Sequence, residues 1–156
     1  MTDPLLAAAR TLCDDAFEVL RGAVSDLPVE ALDWRPRFDD ANSIAVLATH
    51  AMHATRLLLH IAVGLPVPER DREGEFATHA VDSDAMTDMI DGLADHCHAA
   101  LDTSEPIDWG TVREFRRADG TVREMTAAFA LVHAVDHLRG HADEAALTRH
   151  LWEASA

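Results

Sequence analysis

In the stretch LVHAVDHLRGH, residues 131–141, histidine returns at every fourth position, as His133, His137 and His141. Residues four apart on an α-helix sit one turn above each other on one face, so neighbouring rings in this series can offer nitrogens to a common point. Neutral imidazole is the commonest protein ligand for metals and also carries protons near neutral pH. A further ring enters the same argument. Within NSIAVLATHAMHATRLLLHIAVG, His50 falls inside the apolar arc made by Ile44, Leu47, Ala51, Ala54, Leu57, Leu58 and Ile61, whereas His53 and His60 fall toward its edge. A core-facing histidine loses its hydration and needs partners for its ring nitrogens. Helical bundles build metal sites from side chains on facing helices, and three protein ligands with an open position are what a catalytic metal requires. His133/His137 and His137/His141 have the same spacing, so both stand as ligand pairs beside His50. The competing reading is a solvated, titrating face on the later helix and a neutral His50 bonded to a carbonyl.

Four helices must position these rings. The first is expected from about Pro4 to Val24, capped by Thr2 or Asp3, with Pro4 suited to the first turn. Pro28 and Pro36 interrupt the period after it. The second helix opens with Asn42 or Asp40 as cap and stops at Gly64. A polar, proline-punctuated loop, LPVPERDREGEF, separates it from a third helix over about Asp84 to Leu101, capped by Asp82 or Ser83. The tetrapeptide TVRE then occurs at 111–114 and 121–124 around Asp119-Gly120, and Val alternates with polar neighbours in both copies, which predicts a short hairpin. The last helix is expected from about Met125 to Trp152. The fold class is therefore all-α: one four-helix-bundle domain over residues 1–156, with a hairpin-like connection before the final helix.

Composition narrows the function classes. Thirteen basic against 28 acidic residues give a net charge of -15, a field that repels phosphate backbones and anionic membrane surfaces. The expected partner is a small molecule, with neither nucleic acid nor membrane. Cys13 and Cys97 occupy apolar helical positions, where free cysteine packs as a small hydrophobe. That usage fits a reducing cytoplasm, and no signal peptide or run of membrane-spanning length is expected. His96 and His98 flank Cys97, but adjacent helical residues point about 100° apart, so packing for the thiol and solvated edges for the rings are expected. Trp34, Trp109 and Trp152 read as packing residues near helix and loop ends, with Trp34 a candidate for the mouth of a cavity.

Two blocks, LDWRPRFDDANSIAVLATHAMHATRLLL and HAVDHLRGHADEAALTRHL, give the chain a likeness to a known family. It resembles the DinB-like (YfiT-like) superfamily of four-helix-bundle, metal-dependent enzymes, in which a Trp-Arg-Pro loop precedes a helix bearing one histidine and a later helix carries an i, i+4 pair. The resemblance implies His50, His137 and His141 as metal ligands, with His133 beside them and Glu144 where the family usually has Gln or Glu. His133 and Glu144 are thereby the candidate catalytic groups. This chain has HADE where a glycine-containing run is commoner. Zinc or nickel suits an all-imidazole set better than iron or manganese. The family includes thiol S-transferases and isomerases using mycothiol or bacillithiol, and proteins called hydrolases or stress proteins. The implied function is a divalent metal activating a low-molecular-weight thiol for S-transfer or a water for hydrolysis. The alternatives are a non-catalytic metal-binding or stress-response bundle, and a homodimer whose interface is the histidine stripe.

Overall fold

The structure is a computed structural model describing residues 3–155. Helix α1 spans Pro4–Val24; Asp3 caps it by accepting a hydrogen bond from the Leu5 amide at 2.8 Å. Thr2, the other candidate cap, lies outside the described residues. The proline-broken connection contains a single turn, α2 (Val29–Leu32). Helix α3 spans Ile44–Val63, and its cap is Ser43, whose hydroxyl accepts from the Val46 amide, in place of the expected Asn42 or Asp40. Gly64 ends it in the left-handed conformation, φ 79°, which glycine adopts without strain. A second short helix, α4 (Arg72–Phe76), interrupts the polar loop; α5 follows over Ser83–Leu101 with Asp82 as cap.

Strands β1 (Val112–Arg116) and β2 (Val122–Thr126) pair antiparallel, with Phe115 opposite Arg123 and Arg113 opposite Met125. Gly120, at φ 83°, closes the turn between them. Helix α6 runs over Ala127–Ser155, starting after Met125 and Thr126 because both belong to β2.

The four long helices form the bundle. Helix α3 packs against α6 and α5, and α1 packs against the same two, so α1 and α3 occupy one diagonal and α5 and α6 the other. The core runs along the whole bundle and includes Phe17, Leu20, Leu47, Met52, Leu59, Ile90 and Leu138, all nearly sealed from solvent. Helix α3 is long and apolar enough to meet the length and composition of a membrane span, contrary to the sequence expectation; 72% of that window is buried inside the bundle, so its apolar character is spent on the core. The buried stripe of α6 is mostly alanine, at 127, 130, 134, 142 and 145, with Leu131, Leu138 and Thr148. Small side chains let facing helix axes approach closely. This stripe is buried in a helix that packs against both α3 and α1, and the half-buried histidines flank it.

Candidate metal centre

His50 projects from the middle of α3 and is 6% exposed. His137 and His141 project from successive turns of α6, half-buried. One ring nitrogen from each of His50, His137 and His141 lies within 4.8 Å of the other two. The ring centroids are 5.0 Å apart for His50 and His137, 5.1 Å for His50 and His141, and 4.5 Å for His137 and His141. His133 does not join this group. Its ring sits 5.7 Å from that of His137 and stacks on Phe129 at 5.5 Å.

Two carboxylates hold the backs of the rings. Glu75, on α4, is 4% exposed, and its Oε2 lies 2.9 Å from His50 Nδ1. A carboxylate only accepts, so the His50 proton resides on Nδ1 and its Nε2 presents a lone pair. Arg70 donates through Nε and Nη2 to both oxygens of Glu75, at 2.6 and 2.7 Å. Burial raises the Glu75 carboxyl, but hydrogen bonds from His50 and Arg70 and the Arg70 charge outweigh it and hold the group below the usual carboxylate range. Phe76 covers His50 at 4.6 Å between ring centroids, and Arg72 lies over the Phe76 ring. On α6, His141 Nδ1 donates to Glu144 Oε2 at 3.1 Å. Glu144 is therefore engaged behind a ring of the triad.

His137 has no such support. Its Nδ1 is buried without a hydrogen-bond partner, while its Nε2 faces His50 Nε2 at 3.2 Å. Burial pushes this ring down to about 3, with the charges of His141, His50, His133 and Arg70 acting in the same direction. His137 is thus held as the neutral imidazole, the form that ligates metal. Two nitrogens bound tetrahedrally at about 2.0–2.1 Å from one zinc ion lie about 3.3 Å apart, and the His50–His137 separation of 3.2 Å matches that span. Three imidazole donors converging on one point, two of them braced by carboxylates, fit a divalent cation with an open coordination position.

The profile of the DinB superfamily matches residues 13–145. The chain belongs to that superfamily. No curated protein matches it. Among solved DinB-like folds, a conserved protein from Enterococcus faecalis superposes with a TM-score of 0.73 at 17% identity, covering 97% of each chain. Two structures of a mycothiol-dependent maleylpyruvate isomerase, one of them a histidine-to-alanine mutant, superpose with TM-scores of 0.63 at 17% and 18% identity. They cover 89% of this DinB chain, which spans only 60% of the isomerase.

Sequence reasoning missed Arg70, Glu75 and Phe76. Glu75 is one of 28 acidic residues, on a helix of five residues, too short for a hydrophobic period to mark it. The other candidates resolve as follows. Cys13 and Cys97 are fully buried, and desolvation pushes both thiols up to about 12, which leaves them protonated at neutral pH. His96 is exposed, but His98 is half-buried, pairs with Asp14 and lies edge-on to Phe17. Trp34 packs edge-on against Trp152 at 5.8 Å.

Proposed function

We propose that this DinB-superfamily protein is a metal-dependent enzyme in which His50, His137 and His141 hold one divalent ion, zinc or nickel, for S-transfer from a low-molecular-weight thiol to a small electrophile. The observation that carries this reading is the convergence of three ring nitrogens within 4.8 Å of one another in a metal-dependent family. When bound, such an ion supplies Lewis acidity that makes thiolate, or hydroxide from water, available at neutral pH. The surrounding residues prepare its seat. Glu75 and Glu144 fix the tautomers of His50 and His141, so the metal-facing nitrogens carry lone pairs. Phe76 shields one side of His50 from water. We assign to His133, whose ring lies 5.7 Å from that of His137, the role of taking up or returning a proton. The superposition with a mycothiol-dependent isomerase favours thiol over water as the activated group. The setting we infer is cytoplasmic, as a homodimer, with a small-molecule substrate.

Metal analysis of untagged protein tests the centre: about one equivalent of divalent ion is expected. His50→Ala and His137→Ala should each lose it while keeping a helical far-UV spectrum. Wild-type protein that stays metal-free when offered zinc or nickel refutes the proposal. Turnover of an electrophile that proceeds equally without thiol transfers the reading to hydrolysis.

A further inference from the structure

A cleft of about 520 Å³ opens between the hairpin and the first turns of α6, a size typical of small-ligand sites. Its apolar lining is Phe115, Met125 and Phe129, and His133 lines it as well. Phe129 is 57% exposed although His133 stacks on its ring, so part of the aromatic side chain is open to solvent. Arg117 and Arg123 also line the cleft, and neither forms an ion pair or a side-chain hydrogen bond among the described residues. Side chains alternate across a hairpin, and Arg123 sits opposite Phe115 while Arg117 follows Phe115 by two, so both guanidiniums share the face of Phe115. Glu124 is the one acid in the lining, leaving a positive balance.

The location is unusual for this chain. All 13 basic residues are arginine, and residues 111–126 hold four of them against Glu114, Asp119 and Glu124, a net positive segment in a protein of net charge -15. An anion in the cleft meets two bidentate donors beside an aromatic wall, with the Asp119 carboxylate of the hairpin turn also in the field of both arginines. We propose that this cleft binds the substrate as an organic anion: a carboxylate held by Arg117 and Arg123, an apolar body over Phe115, Met125 and Phe129, and the uncharged end directed to His133. The orientation toward the triad rests on the metal-centre reading, because His133 is the link to His137; anion binding itself does not require the metal.

Cinnamate, a planar apolar body bearing one carboxylate, is the probe, with cinnamamide and acetate as controls. Calorimetric titrations use wild type and the Arg117→Gln/Arg123→Gln double variant, with metal content measured on the same samples. Neither arginine belongs to the triad or its braces, so the double variant should keep its metal and its Tm. Cinnamate should bind wild type about tenfold or more tighter than cinnamamide, and the double variant should lose that preference. Cinnamate should also shift the ring-proton resonances of His133. Metal-free His50→Ala protein should retain cinnamate binding, so loss of the metal reading and loss of this one are separable. Equal affinity for cinnamate and cinnamamide, an unaltered double variant, acetate binding as tightly as cinnamate, or no response at His133 overturns the proposal.

Discussion

At His50 a single carboxylate decides which nitrogen carries the proton, and metal affinity should follow that carboxylate. Glu75→Gln keeps the side-chain shape but weakens the acceptor, and substitutions behind a ligating histidine typically cost about 10–100-fold in affinity. Zinc titration against a competing chelator should show a loss of that order, with activity recovering at high zinc. Glu75→Ala should also cost about 3–5 kcal/mol in urea unfolding, because Arg70, at 18% side-chain exposure, is left charged and unpaired. Individual residues were unevenly legible in the sequence. The histidines announced themselves through spacing of four and the apolar arc around position 50, whereas spacing alone left the choice of pair open. Glu75 and Arg70 reach His50 through tertiary structure, across 25 and 20 residues, and nothing in their local pattern signals it.

At the scale of elements, α4 acts as a clasp that brings Glu75 and Phe76 to His50. Its cap is Asp71, whose carboxylate accepts from the Gly74 amide at 2.9 Å, and a Cβ on Gly74 would collide with that carboxylate. Gly74→Ala should therefore displace the cap, lowering stability by about 1 kcal/mol and weakening metal binding through Glu75, as thermal unfolding and zinc titration would show. The alanine stripe makes a second prediction. Ala134→Leu, at a fully buried position of α6, should overpack the core by about 1–3 kcal/mol and reduce bound metal, because His137 shifts with its helix. The long helices were readable because caps and hydrophobic period agree over many turns. Helix α2 and helix α4 were not, being four and five residues long in segments dominated by proline and charge. The start of α6 moved by two residues because β2 claims Met125 and Thr126 for its ladder.

For the whole molecule, stability is coupled to pH and to ligand. In metal-free protein, burial holds the His137 ring down at about 3 against an ordinary value of 6.5. The unfolded chain therefore binds a proton that the folded chain refuses between those values, and stability rises with pH across that window. This contribution is fully present above pH 6.5 and is lost as pH falls toward 3. Urea midpoints should fall from neutral to acid pH, and His137→Asn should flatten the slope. Saturating zinc at about 100 times its dissociation constant should add roughly 2.7 kcal/mol, raising Tm by about 5–10 °C; a Tm indifferent to zinc contradicts the centre. The alanine stripe of α6 reaches further than folding stability. Ala130, Ala134, Ala142 and Ala145 carry no donor atoms, yet they fill the buried stripe of the helix that holds His137, which faces His50 at 3.2 Å. The packing that seats this helix is thus kept apart from the groups that bind an ion. Exchanges among alanine, glycine and serine along that line could retune ionic-radius preference over generations while every histidine stays where it is.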